Sequence, residues 1–401
     1  MPKQFNWRRY TEVFTSFLLL GCTSFGGPIA HLGYFRREFV ERRRWLDESA
    51  YADLVALCQF LPGPASSQVG MSLGIYRAGL PGALIAWIAF TAPSAIVMVL
   101  FAYGIAQVSD IEQAAWLHGL MITAVAIVAH AVWTMGRTLC VDPIRVLIAG
   151  GAAAICLLVP TVWSQLIAIA VGGSAGLLLL KSKDNNPPTR SIAVSYGHAW
   201  ALSALALFLA LLIGLPLLGA MNDSHTVALI DSFYRSGSLV FGGGHVVLPL
   251  LQQEVVPPGW MSNDAFLAGY GVAQAVPGPL FTFAAYLGAA MTSSPNGIAG
   301  AVICVLAIFL PSVLLVVGAL PYWDRLRHQN RVRTSLQGVN AAVVGVLLAA
   351  LYDPVITSSI HNTTDVAIAL GGIALLIIWK LPSWMVVIAC TTAAVAVATI
   401  V

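Results

Sequence analysis

Charge is what this sequence has least of. Of its 401 residues only 9% are Asp, Glu, Lys or Arg, against 58% hydrophobic, whereas a water-facing surface needs about a quarter of its residues charged. That excludes a soluble globular protein and makes lipid the solvent. Cysteine is also sparse. Cys22, Cys58, Cys140, Cys156, Cys304 and Cys390 stand singly in apolar surroundings with no Cys-x-x-Cys pair, which argues against a disulfide framework or a thiolate cluster and for small buried hydrophobes. No P-loop, Gly-x-Ser-x-Gly, His-Glu-x-x-His or Ser-His-Asp set is present, so an ATP-driven pump or a known hydrolase has no support. The isolated His118, His225, His328 and His361 carry no metal-ligand spacing. No metal, cofactor or nucleic-acid partner is expected.

What is present is apolar sequence at or near the roughly 20-residue length that crosses a bilayer, recurring along the whole chain. The expected fold is an all-α polytopic membrane protein, with no segment long enough for a separate soluble domain. The first twenty-two residues imitate a lipoprotein signal, with Lys3, Arg8 and Arg9 before Leu19-Leu20-Gly21-Cys22. Cleavage there would sever a repeat, because Gly21 has a counterpart at Gly237.

That repeat organises the chain. Ser24-Phe25-Gly26-Gly27-Pro28 returns as Phe241-Gly242-Gly243-Gly244, and Leu61-Pro62-Gly63-Pro64 as Val276-Pro277-Gly278-Pro279. Gln59 matches Gln274, Gly82 matches Gly297, Pro93-Ser94 matches Pro311-Ser312, and Gly119 matches Gly338, at offsets drifting from 215 to 219. Residues 1–181 therefore read as a first repeat, 182–197 as a cytoplasmic linker, 198–221 as an extra span and 222–401 as the second repeat. Because an odd number of spans separates equivalent units, the halves are inverted. The fold class is an inverted-topology tandem repeat with broken, helix-break-helix membrane segments, the architecture of secondary transporters.

Two span counts are open. If the broken units were simple spans there would be thirteen, and Arg36 to Arg44 would face away from the other basic residues, against the positive-inside rule. If they are hairpins, nine spans and four hairpins result, and every Lys and Arg but Arg235 falls on the cytoplasmic side with the N-terminus. The hairpin arrangement is favoured.

A broken helix in lipid exposes backbone groups that protein, water or substrate must satisfy. Pro28, Pro64 and Pro279 stand where a second half-helix would begin, and the adjoining glycines let a ligand approach the backbone. Helix N-termini aimed inward offer positive charge without a buried Lys. No carboxylate lies at any break, so an anion is favoured over a cation. The plainer reading, kinks that ease helix packing, applies better to one break than to four in register. The candidate binding residues are Ser24, Gly26, Gly27, Pro28, His31, Gln59, Pro62, Gly63, Pro64, Ser66, Ser67 and Gln68, with Gly242, Gly243, Gly244, His245, Gln274, Pro277, Gly278 and Pro279 in the second half. His31 and His245 either hold the anion and titrate, or hydrogen-bond freed carbonyls. His130 and Asn340 read as packing or water contacts.

The stretches Phe25-Gly26-Gly27-Pro28-Ile29-Ala30-His31, Arg42-Arg43-Arg44-Trp45-Leu46 and Ala56 to Gln68 resemble the chromate ion transporter family in its long, duplicated form. The resemblance implies a bacterial inner-membrane protein that expels chromate, a tetrahedral dianion, using the proton gradient, and so confers chromate resistance. Expected partners are chromate or a similar oxyanion, protons and membrane lipid; a homodimer is left open. A sulfate or molybdate carrier, an anion channel, or less readily a membrane enzyme are the alternatives. Phe281 and Phe283 replace Ser66 and Gln68 in the second half, which leaves its share of the site open.

Two further expectations concern charge. Glu38 and Glu254 are the repeated acids and the candidates for the coupling proton, against the plain reading as surface helix residues. Arg36, Arg37, Arg42 and Arg43 are expected to make a cationic entrance, with Gln252-Gln253 as the neutral counterpart of Arg36-Arg37 on the outer face.

Overall fold

Helix is what such a chain must form, because lipid offers the backbone no partners. The computed structural model describes residues 7–105, 115–159, 164–181, 196–222, 224–241, 244–323 and 329–400, and no strand occurs among them. The first half contains α1 (Trp7–Thr23), α2 (Gly27–Arg36, continued by a π-turn at Arg37–Arg42), α3 (Glu48–Phe60), α4 (Ala65–Ile105), α5 (Ala115–Leu139), α6 (Pro143–Leu158) and α7 (Ser164–Leu179). Helix α8 (His198–Met221) stands between the halves. The second half contains α9 (His225–Leu239), α10 (Val247–Val255), α11 (Asn263–Ala273), α12 (Phe283–Ala290), α13 (Gly297–Ala319), α14 (Asn330–Ala350), α15 (Thr363–Ile377) and α16 (Ser383–Ile400). Most of the expected linker, and Gly242 and Gly243, lie outside the described residues.

Helix α4 is two helices. Gly79 has φ 72° and ψ −165° inside it, and a side chain on Gly74 would collide with the Gly82 carbonyl. Eight residues of straight helix would hold those glycines about 12 Å apart. The chain therefore doubles back at Gly79, and 65–78 is the returning arm of a hairpin while 80–105 is a span. Gly288 and Gly300 repeat this backbone contact between α12 and α13. The structural counterpart of Gly82 is thus Gly300 and not Gly297, because the extra residues that shift the repeat lie in the longer turn between Ala290 and Gly297.

Ion pairs decide the span count. The Glu12 carboxylate accepts from Arg43 at 3.3 Å, from Trp45 at 3.0 Å and from Arg77 at 2.6 Å. Glu12 precedes the first break and Arg43 follows it; one continuous span would hold them on the order of 45 Å apart. So α1 and α2 form a hairpin, and α3 with the first arm of α4 forms another that opens on the same face. In the second half Arg235 and Ser232 of α9 bond Glu254 of α10 at 3.0 and 2.8 Å, and the Tyr286 hydroxyl of α12 donates to the Ala265 carbonyl of α11 at 2.7 Å. These are the other two hairpins, and the thirteen-span reading is excluded.

Aromatic rings hold the hairpins closed. Phe17 of α1 lies 4.9 Å from Phe39, 5.7 Å from Phe35 and 6.5 Å from Phe90 between ring centres. In lipid such contacts act through close packing, since burial from water is not gained. Elsewhere small residues let backbones touch. Helix α5 packs on α15 and α16 of the other half, and α14 on α6 and α7. Gly119 backs onto Thr391 Cα, and Gly338 onto Gly172 and Gly176, so the two halves are interlocked through equivalent seams.

Candidate functional site

The four hairpin tips meet in reciprocal pairs. The Gly63 N–H donates to the Val240 carbonyl at 2.7 Å, and the Gly278 N–H donates to the Ser24 carbonyl at 2.9 Å. Val240 lies 216 residues after Ser24 and Gly278 lies 215 after Gly63, so the two bonds are one contact repeated by the pseudo-symmetry. Both donors need glycine: φ is 118° at Gly63 and 98° at Gly278. A side chain on Gly63 would collide with Ser312 Oγ, and one on Gly278 would come within 2.8 Å of Ser94 Oγ. These two serines follow Pro93 and Pro311, whose missing N–H groups interrupt the ladders of their helices. The Pro-Ser pairs are visible as repeats in the sequence, but their place against the tips is not.

Around that centre the polar residues divide into bonded and unbonded. His31 Nε2 lies 3.1 Å from the Ser24 carbonyl and its Nδ1 3.3 Å from Ser66 Oγ. A carbonyl only accepts, so Nε2 carries the proton and Nδ1 accepts from the serine. His245 Nδ1 meets the buried Tyr270 hydroxyl at 2.9 Å. Gln68 Nε2 donates to the Pro62 carbonyl at 2.6 Å, while its Oε1 has no protein partner. Ser24 Oγ, Ser67 Oγ and Gln274 Nε2 are buried and likewise unpartnered. Pro28 stands 3.3 Å from the position a side chain on Gly244 would take, which brings the tips of the α1–α2 and α9–α10 hairpins together. Gln59 is exposed on α3.

At the first tip α2 begins without a side-chain cap, behind Gly26 at φ 99°. Gly27 has φ 75° and open space where a side chain would be. Gly26 and Gly27 in left-handed geometry, a proline at the helix start and neutral donors nearby are groups of the kind that can hold an anion.

The family profile described as chromate transporter matches residues 11–177 and again 227–395, once in each half. The chain belongs to the chromate transporter family. It is 28% identical over 379 residues to a chromate transport protein of Pseudomonas aeruginosa, covering 92% of this chain and 88% of that one. It is 29% identical over 376 residues to a probable chromate transport protein of Synechococcus elongatus, covering 91% and 88%, and 25% identical over 374 residues to a chromate transport protein of Cupriavidus metallidurans, covering 91% and 87%. No solved structure matches the chain. The family is one of transporters, and this member is a multi-pass membrane protein.

In this member of the family the repeated glutamates sit in unequal surroundings. Glu38 faces Arg42 at 3.1 Å and Arg43 at 2.5 Å, whereas Glu254 shares the single guanidinium of Arg235 with Asp231. The arginines expected at the entrance are mostly committed: Arg36 pairs with Glu41 and Glu48, both at 2.7 Å, and Arg42 and Arg43 pair as above; Arg37 is exposed. Two cavities open against the hairpins. One, of about 570 Å³, runs along α5 and the turn before α16 and is lined by Gly26, His130, Thr134, Arg137, Lys380 and Ser383. The other, of about 410 Å³, runs along α14 and α10 and is lined by Gln165, Gln252, Gln253, Asn263 and Asp353. Sequence could not assign Arg137 and Lys380 a role, because they lie 243 residues apart and outside every break.

The turn into α15 also gathers residues distant in sequence. His118 Nε2 lies 3.0 Å from Asp365 Oδ1, and the rings of His118 and His361 stack at 5.4 Å. Asp365 Oδ2 accepts from the backbone N–H of His361 and Asn362. The carboxylate is occupied as a helix cap and clasps α5 to α15.

Proposed function

We propose that this chain is a secondary active transporter that exports chromate across the bacterial inner membrane, coupled to the proton gradient, and so gives chromate resistance. The observation that carries the reading is the reciprocal bond between tips, Gly63 to Val240 and Gly278 to Ser24, in a chain of the chromate transporter family. Equivalent, oppositely oriented hairpins closing on one point can exchange roles, so one sequence supplies inward-open and outward-open states. Neutral donors and an uncapped helix start favour an oxyanion over a cation. By the positive-inside rule the face carrying Arg43, Arg77, Arg137 and Lys380 is cytoplasmic, with the N-terminus.

Of the two glutamates, Glu254 is the better proton carrier. Two guanidiniums beside Glu38 hold it ionised, while Glu254 competes with Asp231 for one. The deciding experiment is uptake of labelled chromate into inside-out vesicles, with and without an imposed pH gradient, in the presence of sulfate or molybdate. Gradient-stimulated uptake that resists excess sulfate supports the reading. Equal competition by sulfate identifies a general oxyanion carrier, and uptake indifferent to the gradient identifies a channel.

A further inference from the structure

The two cavities have symmetry-related walls. The first lies between the C-terminal part of α5 and the α15–α16 turn, and the second between the C-terminal part of α14, the end of α6 at Cys156 and Leu157, and Gln165 at the start of α7. Helix α14 is the repeat of α5, and α6–α7 the repeat of α15–α16, so the cavities have equivalent helix walls on opposite faces; on the hairpin side the first reaches the tip residue Gly26 and the second reaches Pro249, Gln252 and Gln253 of α10. Their charges differ. Arg137 and Lys380 line the first without a carboxylate partner among the described residues; the second is lined by amides and Asp353, with no Lys or Arg among its lining residues. The first reaches Gly26, the residue before the uncapped start of α2, and its His130 lies within electrostatic reach of His245 at the second-half tip.

Lys380 adds an independent observation. Its φ is 52°, and it closes α15 in the left-handed position that glycine normally fills after a helix. The Leu381 N–H bonds the Leu375 carbonyl at 3.0 Å, which completes that turn. A lysine is therefore kept where the backbone would be more relaxed with glycine.

We propose that the Arg137–Lys380 cavity is the capture site for the transported tetrahedral oxyanion, delivering it to Gly26 and Gly27, and that its counterpart on the opposite face, which has Asp353 and no cation, makes binding directional. This rests on the oxyanion reading above. The two cations concentrate a dianion at the mouth, and thermal motion along α5 brings it to the neutral donors of the tips. No charge need be buried with it. On the other face the same geometry lacks the attraction, and Asp353 repels the anion.

The potential of the cavity can be read without transport. In a cysteine-free background, Ser383→Cys is labelled with an anionic and a cationic methanethiosulfonate of similar size. The anionic reagent should be favoured, and two unit charges nearby give a preference of roughly fivefold at low salt that falls as salt rises. Arg137→Gln and Lys380→Gln should each erode it. Ser358→Cys in the other cavity should favour the cationic reagent. Molybdate and sulfate, which do not oxidise thiols as chromate does, should slow labelling of Ser383→Cys but not of Ser358→Cys. In inside-out vesicles Lys380→Gly should raise the Km for chromate several-fold at low salt with maximal rate and thermal stability retained, because glycine relieves the turn while removing the charge. Equal reagent preference at the two cavities, or an unchanged Km in Lys380→Gly and Arg137→Gln, overturns the proposal. If chromate is not carried at all while the reagent preference and molybdate protection hold, the substrate assignment fails and the capture site stands.

Discussion

Gly63 and Gly27 show how differently two glycines of one site respond to a side chain. Gly63 has φ 118° and lies against Ser312 and Gln68. Gly63→Ala therefore combines backbone strain of about 1–3 kcal/mol with a collision against Ser312 Oγ and the Gln68 amide. It should lower the melting temperature in detergent and leave little active protein. Gly27, at φ 75°, has nothing within 4 Å of the added carbon. Gly27→Ala should cost only the left-handed strain, about 1–2 kcal/mol, and insert normally, yet reduce transport roughly tenfold by occupying the approach to the backbone. Comparable transport per folded molecule in wild type and Gly27→Ala would make Gly27 a packing residue. At His31 both ring nitrogens are used, one on a freed carbonyl and one on Ser66.

Among the elements, the hairpins are the units that carry both topology and coupling. Arg42→Cys and Lys181→Cys, each in a cysteine-free background, should be labelled by an impermeant reagent from the same side, and Gln253→Cys from the other. Labelling of Arg42→Cys together with Gln253→Cys would contradict the Glu12–Arg43 and Arg235–Glu254 pairs. The return arms also separate the two glutamates. Glu254→Gln should leave chromate exchange intact while abolishing its response to a pH gradient. Glu38→Gln should keep that response but lose stability, because Arg42 and Arg43 lose the carboxylate they bond. Full pH coupling in Glu254→Gln would remove that residue as the carrier. How far the elements were legible depended on the signal. The breaks, their proline positions and the preference for hairpins could be read from repeated Gly-Pro clusters and from the placement of arginine. The fold-back at Gly79 lies in Arg77-Ala78-Gly79-Leu80-Pro81-Gly82, a charged and helix-breaking interruption that the sequence displays; only the contact of Gly74 with Gly82 across it could not be read.

At the scale of the molecule the halves are exchanged, with α5 seated on α15 and α16 and α14 on α6 and α7. Neither half can complete its own packing. The first half, residues 1–181, expressed alone should be degraded, and coexpression with residues 182–401 should restore a protein that purifies as a complex and transports. A stable, functional first half on its own would contradict the interlocked seams at Gly119, Gly172 and Gly338. The sequence by itself determined the solvent, the helical class, the duplication, the inversion and the identity of the residues at the breaks. Each of these follows from composition or from the spacing of residues along one chain. Only the tertiary structure decided which tips bond each other, which arginines are spent on carboxylates and which line a cavity. Those depend on contacts between residues far apart in the chain, 254 positions at Gly278 and Ser24, and a spacing along the chain holds no record of them. Repeats tell which residues are equivalent; the folded backbone alone tells which of them are neighbours.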